Sequence, residues 1–412
     1  MDLNIHKSLL INLAALFCMI PYFAPFPTES DVQYPVIILC GLIFLLDLFK
    51  NNIRFNNFEL YFLFLSILSL VYINPYVDFE YLFTKRVALL SAFFIFYVFS
   101  RYWAFINPKY FLAGVLINFL ACIVQAMSPE IFEYLQVFVG RAFTMSGFSY
   151  NPAPSIGWRG LTGLSAEPAY LGGLSIVYFF VGYILWNERR ISKKIFLIFS
   201  AIALTLNMVS LTATAAIMSL SVIISFIMFS KISLLSKIFY LIGSLFALLL
   251  LFNILEDSYR SFKMLELFIT DPISLIRTDY SSSLRLMSIA VGFESIMQGN
   301  IFGNGVGTLS YVATDIMEGS NVKNIFHPGV MEQGRERESF SALGLYISEL
   351  GILFIILIGW LYSRPMKSNY TNIVRFPIFL FLASAFSLLF PPFWMLMAAT
   401  DKRAIFFQNK FS

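Results

Sequence analysis

Apolar runs of about 17 to 25 residues follow one another along most of the chain, separated by short polar loops. A bilayer core of about 30 Å needs about 20 residues at 1.5 Å each, so every such run reads as a membrane-spanning helix. The pattern predicts spans near 8–25, 34–49, 58–73, 87–103, 110–127, 168–186, 194–211, 213–230, 237–255, 342–362 and 373–400. Pro391-Pro392 interrupts the last run, which reads as one kinked span or as a span followed by a short return. The expected fold class is an all-α polytopic membrane protein with eleven transmembrane helices, or twelve if Pro391-Pro392 marks a turn. Residues 1–412 form one integral membrane domain, broken by polar segments at 128–167 and 256–341. The first run, Leu9 to Phe26, lacks a basic leader and a convincing cleavage site, so it reads as a retained span.

Composition agrees with that pattern. Only 13% of residues are charged, against about a quarter in soluble domains, and the mean hydropathy is +0.77. The position of each charge matters more than the net +4. Lys50 and Arg54 follow span 2, and Arg101 and Lys109 follow span 4. Arg189, Arg190, Lys193 and Lys194 follow span 6, Lys231 and Lys237 follow span 8, and Arg364, Lys367 and Arg375 follow span 10. These basic exits put their loops and the N-terminus in the cytoplasm, and both long polar segments outside it. Cys18, Cys40 and Cys122 lie in apolar runs and read as small buried hydrophobes, with no disulfide or metal spacing. No nucleic-acid motif is visible.

Three polar constellations carry candidate chemistry. In the first, Arg159 and Glu167 flank a glycine-rich approach to span 6, and Pro168 suits the first helical turn. Glu167 is a candidate proton acceptor and, equally, a helix-start residue favoured by the dipole, while Arg159 suits either a ligand or the membrane interface. In the second, Ser281, Arg285, Ser288, Gly292, Ser295 and Gly299 form one small, polar helix stripe opposite Leu284, Met287, Val291 and Ile296. That stripe leaves room for a ligand or for a neighbouring helix; spacing alone does not choose. Gly303-Asn304-Gly305-Val306-Gly307 reads as a flexible turn after it. In the third, His327 precedes Arg335, Glu336, Arg337 and Glu338 just before span 10. Alternating charges there suit a solvated pair network, whereas a histidine near a membrane mouth suits proton transfer.

The run Arg159-Gly160-Leu161-Thr162-Gly163-Leu164-Ser165-Ala166-Glu167-Pro168 resembles the signature of bacterial O-antigen and capsule polymerases of the Wzy type. Arg285 with its helix and glycine turn is similar to their second half, as is His327 followed by Glu349-Leu350-Gly351-Ile352. The resemblance implies a GT-C-like fold and two extracytoplasmic loops that include amphipathic helices. It implies polymerisation of undecaprenyl-diphosphate-linked oligosaccharides at the periplasmic face of the bacterial inner membrane. Arg159, Arg285, Arg335 and Arg337 are then the diphosphate-binding set, since guanidinium groups hold phosphate oxygens bidentately. Glu167, His327 and Glu338 are the acid–base candidates. A Wzz-type chain-length regulator is the implied protein partner. Membrane lipid is the other. No acidic cluster suits a metal, so the expectation is a metal-independent glycosyltransferase without a cofactor. One departure stands out: Ser210-Leu211-Thr212-Ala213-Thr214-Ala215 lacks the arginine that the family often carries at this hairpin.

Two rivals remain. An O-antigen ligase shares the donor but delivers the chain to lipid A–core. A flippase for lipid-linked oligosaccharides belongs to a different class, and transporters usually place functional charges near the midplane. Here the charges cluster at span ends and at one mouth. The loop-charge pattern makes a direct prediction. A cysteine at Ser192 should be labelled only from the cytoplasmic side, and one near Ser320 only from the opposite side. Labelling of both from one side would remove the topology.

Overall fold

The computed structural model describes residues 5–23, 34–50, 53–72, 79–136, 138–139, 160–210, 212–230, 233, 235–239, 242, 267, 270–332, 341–365, 370–383 and 390–401. Among them every regular element is a helix, and one isolated bridge joins Phe23 and Val139. The helices are α1 (Ile5–Met19), α2 (Tyr34–Phe49), α3 (Asn57–Val71), α4 (Phe79–Tyr102), α5 (Pro108–Met127) and α6 (Pro129–Gln136). Then come α7 (Pro168–Asn187), α8 (Lys193–Ser210), α9 (Ala213–Phe229), α10 (Pro272–Thr278), α11 (Tyr280–Met297) and α12 (Leu309–Glu318). The last five are α13 (Pro328–Glu332), α14 (Ala342–Leu350), α15 (Ile352–Ser363), α16 (Tyr370–Ala383) and α17 (Pro391–Ala399). Among the described residues, four segments are long and apolar enough to cross a membrane, at 86–105, 108–127, 168–187 and 193–210, and several shorter apolar helices accompany them. This is an all-α protein of membrane-embedded type. Most of the predicted span at 237–255 lies outside the described residues.

Local sequence sets many of the helix starts. Asn56 and Glu59 form a reciprocal capping box on α3. Asn107, Thr212, Asp271, Asp279 and Ser341 each accept a hydrogen bond from the first turn of the helix that follows. Pro108, Pro168 and Pro391 open α5, α7 and α17, where the missing N–H costs nothing.

Charges buried against one another gather at a single end of the bundle. Lys7 of α1 pairs with Asp47 of α2, whose carboxylate also accepts from Tyr97 at 3.2 Å and Tyr102 at 2.8 Å. Arg101 of α4 makes a two-pronged bond to Glu59 of α3 at 2.9 and 3.0 Å. Trp103 donates to Glu188 beyond α7 at 2.9 Å, and Arg364 after α15 pairs with Asp401 after α17. Every one of these residues stands near a helix terminus that faces this ionic end. The basic loops picked out by charge, so far as they are described, therefore share one side of the bundle.

Two apolar runs fold differently from the sequence pattern. The run at 373–400 is two antiparallel helices. Arg375, early in α16, donates to Thr400 after α17 at 3.1 Å, while Phe381 and Phe390 stack at 5.5 Å at the opposite end. The Pro391-Pro392 break is thus a return, and the chain comes back at Asp401 to the end it left at Arg364. The run at 342–362 is broken at Gly351, whose φ of 57° only glycine adopts readily. The cause is close packing: a Cβ on Gly351 would lie 2.0 Å from the Ile301 carbonyl oxygen. Gly351→Ala should therefore cost at least about 1–3 kcal/mol from backbone strain alone, with the clash added. Gly359→Ala, in the same apolar run but with nothing within 4 Å, should be nearly neutral. Thermal unfolding of the two variants in detergent compares them, and equal midpoints would show that the break is not needed.

Candidate functional site

The end opposite the ionic clamp gathers the segments that carry candidate chemistry. Residues 160–167 enter the bundle as irregular backbone and lead into α7. Non-helical backbone in an apolar interior must find its hydrogen bonds within the protein, and here two amides of α5 supply them. Gln125 Oε1 accepts from the N–H groups of Thr162 and Gly163, both at 2.9 Å, and its Nε2 donates to Thr162 Oγ1 at 3.1 Å. Asn118 Oδ1 accepts from Leu164 N at 2.8 Å, and its Nδ2 donates to Tyr178 at 2.7 Å. Tyr178 in turn donates to the carbonyl of Met19, tying α1, α5 and α7 together.

The glycines of this segment approach protein rather than open space. A Cβ on Gly160 would sit 2.0 Å from the Ser210 carbonyl oxygen, and one on Gly172 would meet Ala215 at 2.5 Å. Ser210 and Ala215, at the two ends of the 210–215 hairpin, are therefore packed directly against this segment and α7. Glu167 is the N-cap of α7, half-buried, and its side chain makes no capping hydrogen bond. Its carboxylate sits at the positive end of a 20-residue helix.

The small stripe on α11 is a helix-packing seam. A Cβ on Gly344 of α14 would lie 2.1 Å from the Ser288 carbonyl oxygen, and one on Gly292 would meet Gly344 at 2.8 Å and Ile347 at 3.0 Å. Of the two readings left open by spacing, the neighbouring helix is the one that fills the stripe at Ser288 and Gly292, while Gly299 has nothing within 4 Å. The opposite face, Leu284, Met287 and Val291, builds a second core with Leu309, Ala313, Met317, Phe326 and Val330. Arg285, half-buried, lies one turn before Ser288 on the packed side, and its Nε is buried without a hydrogen-bond partner among the described residues.

The glycine turn is fastened at several points rather than flexible. Ile352 N donates to the Ile301 carbonyl at 2.8 Å, Asn304 N to that of Ser348 at 2.9 Å, and Gly305 N to that of Glu349 at 3.1 Å. Gly307 N donates to the Glu349 carboxylate at 2.8 Å. The turn thus supplies partners for backbone groups that the break in the helix would otherwise strand. Asn304 also bonds Ser295 of α11 at 2.8 Å. Glu349 is fully buried at this joint. The sequence places it inside a span without indicating that a broken helix surrounds it.

His327 is held between α11 and α13. Its backbone N–H donates to Ser283 Oγ at 2.8 Å, its Nδ1 accepts from Gly329 N at 3.0 Å, and its ring meets Tyr280 edge-on at 5.8 Å. With Nδ1 accepting, a proton on the neutral ring belongs on Nε2. His327 and Arg285 therefore belong to one unit, both anchored on the first half of α11. An aromatic chain links this unit's neighbour to the start of α7. Ser341 before α14 donates to Leu382 at 3.2 Å, next to Phe381, which stacks on Phe390; Tyr22 lies 6.3 Å from Phe390 and 4.9 Å from Tyr170. Among the described residues no hydrogen bond or ion pair joins Glu167 to Arg285 or His327. Arg159, Arg335, Arg337 and Glu338 lie outside the described residues.

One buried cation escaped the sequence reading. Arg86 falls just before the predicted span 4, yet α4 starts at Phe79 and Arg86 is buried two turns inside it. Ser69 of α3 donates to its carbonyl at 3.1 Å. The three cysteines are buried and free, as their apolar surroundings predict.

Compared with known proteins, the chain matches no family model, and no curated protein matches it.

The amide support of residues 160–167 is testable. Gln125→Leu keeps bulk but removes the acceptor for two buried N–H groups, each worth about 1–3 kcal/mol when stranded. The variant should unfold at clearly lower temperature in detergent and expose the segment to proteolysis near Gly160. An unchanged midpoint and cleavage pattern would show that these bonds do not hold the segment.

Proposed function

We propose that the protein polymerises undecaprenyl-diphosphate-linked oligosaccharide repeat units into O-antigen or capsule polysaccharide at the periplasmic face of a bacterial inner membrane. The growing glycan passes from one lipid diphosphate to the non-reducing end of another lipid-linked unit. The acceptor hydroxyl attacks the anomeric carbon and loses its proton, the new glycosidic bond forms, and the bond to the diphosphate breaks. The leaving diphosphate carries the negative charge away.

In this reading Arg285 works with Arg159, Arg335 and Arg337 to stabilise charge on the phosphate oxygens. Such bonds are strongest where water is excluded. Glu167 accepts the acceptor's proton, with His327 and Glu338 as the further acid–base groups. A GT-C-like frame and a Wzz-type partner belong to the same proposal.

The observation that carries the reading is a coincidence of place. Ser165 Oγ, Arg285 Nε and Ser348 Oγ are buried and without hydrogen-bond partners among the described residues. All three fall in the segments that resemble the polymerases, whereas Ser230 Oγ and Tyr362 Oη, buried and unbonded in the same way, fall outside them. Native proteins rarely leave such groups unmet, and a ligand is one reason for doing so. One feature favours a transporter of the same lipid-linked glycans: a helix broken beside a buried acid, as at Glu349, is common in transporters.

Purified protein and lipid-linked repeat units in detergent separate the two, because a transporter has no gradient to work on and makes no product there. Chains of several repeats are expected. Glu167→Gln should lose turnover at saturating substrate by about 10²–10⁴-fold. Arg285→Ala should abolish long chains at normal membrane abundance, and Arg285→Lys should restore activity only in part, since it lacks the planar fork. Wild-type rates in Glu167→Gln would remove the carboxylate from the chemistry. In a deletion strain, a single repeat on core supports polymerisation, whereas bare core would point to a ligase or a flippase.

A further inference from the structure

The third face of α11 is neither of the two already described. Leu286, Phe293 and Met297 fall within about 40° of one another around the helix and are 43%, 47% and 80% exposed. The apolar surface continues into the turn, where Ile301 is 51% and Phe302 64% exposed. Large apolar groups so concentrated mark a contact surface rather than a solvated one. Yet the charge pattern of the sequence assigns this whole segment to an extracytoplasmic loop.

The height of the turn identifies what covers it. Tyr72, at the end of α3, donates to the Gly303 carbonyl at 3.4 Å, and its ring lies 3.7 Å from the Cβ position of Gly305. Phe58, at the start of α3, lies 4.5 Å from the Arg364 guanidinium in the ionic end. The helix between these two contacts rises about 21 Å, while a bilayer core is about 30 Å thick. With the ionic end taken as one boundary of the apolar layer and α3 as running along its normal, the turn lies inside that layer, roughly 9 Å short of its far boundary. The other flank of the same unit carries exposed Asp315, Glu318 and Lys323. One side apolar and the other charged is the pattern of an element seated in a membrane interface.

We infer that α11 and the turn after it are seated in the leaflet opposite the ionic end, with Leu286, Phe293, Met297, Ile301 and Phe302 against lipid acyl chains. The unit bearing Arg285 and His327 is then held at a fixed height beside lipid headgroups instead of moving in free solution. This inference rests on the membrane embedding of the helices and not on glycosyl transfer, so each can fail without the other.

The test replaces Cys18, Cys40 and Cys122 by alanine and introduces single cysteines at Met297 and Phe302. Each protein is spin-labelled and reconstituted in vesicles of phosphatidylcholine and phosphatidylglycerol. Collision with oxygen, which concentrates in acyl chains, is compared with collision with a water-soluble nickel chelate. Phe64→Cys, on the exposed side of α3, gives the lipid reference, and Lys323→Cys gives the water reference. The oxygen-to-nickel ratio at 297 and 302 should be several-fold above that at 323 and close to that at 64. Ratios at both positions equal to the water reference would overturn the inference. If either substitution prevents reconstitution, the same measurement at Phe293 decides, with the same two outcomes.

Discussion

Backbone polar groups in an apolar surround must be bonded within the protein, and the irregular parts of this fold are organised around that constraint. Helices meet it by themselves. Residues 160–167 and the break at Gly351 do not, and each recruits outside partners. For the first, Gln125 and Asn118 offer side-chain oxygens where a helix would offer carbonyls. For the second, the 301–307 turn and residues 348–352 exchange backbone bonds with one another, closing both irregularities at once. The candidate site stands on these two joints, since Glu167 follows the first and α11 leads into the second.

Close approach of backbones is what such joints require, and glycine makes it feasible. Gly160 lies against Ser210, Gly344 against Ser288, and Gly351 against Ile301, each at distances that no side chain tolerates. Packing of this kind serves membrane helices well, because lipid tails remove the hydrophobic drive that joins helices in water. The ionic end contributes in a different way. Its buried pairs contribute little net stability, because desolvation offsets their attraction. An unpaired member would be costly, so the pairs specify which helix ends meet. Arg364 with Asp401 thereby fixes the return of α17.

The two ends thus divide the work. One end is closed by matched charges, and the other holds irregular backbone, an uncapped carboxylate at Glu167, and Arg285 with His327 on a shared helix. In the proposed reaction, guanidinium groups facing a lipid diphosphate need to stand at headgroup height. An α11 unit seated in the leaflet would keep Arg285 there without a hinge.

The sequence by itself determined the helical class, the extents of most apolar helices and the grouping of basic loops. These follow from local rules: apolar length sets span, caps set starts, and loop charge marks a side. It also read the cysteines as buried, and it offered Glu167, Arg285 and His327 as candidates only. It left open whether the stripe on α11 faced a ligand or a helix, because Ser288 and Gly292 look alike in either case. It missed the break at Gly351, since Ile352 to Ser363 continues the same apolar run and the cause lies about fifty residues away in the chain, at Ile301. It drew α4 too short and left Arg86 outside it, because hydropathy falls at a charged residue even where the helix continues. Patterns along a chain report what each residue prefers. Only the tertiary structure decided which backbones touch, because that depends on partners distant in sequence.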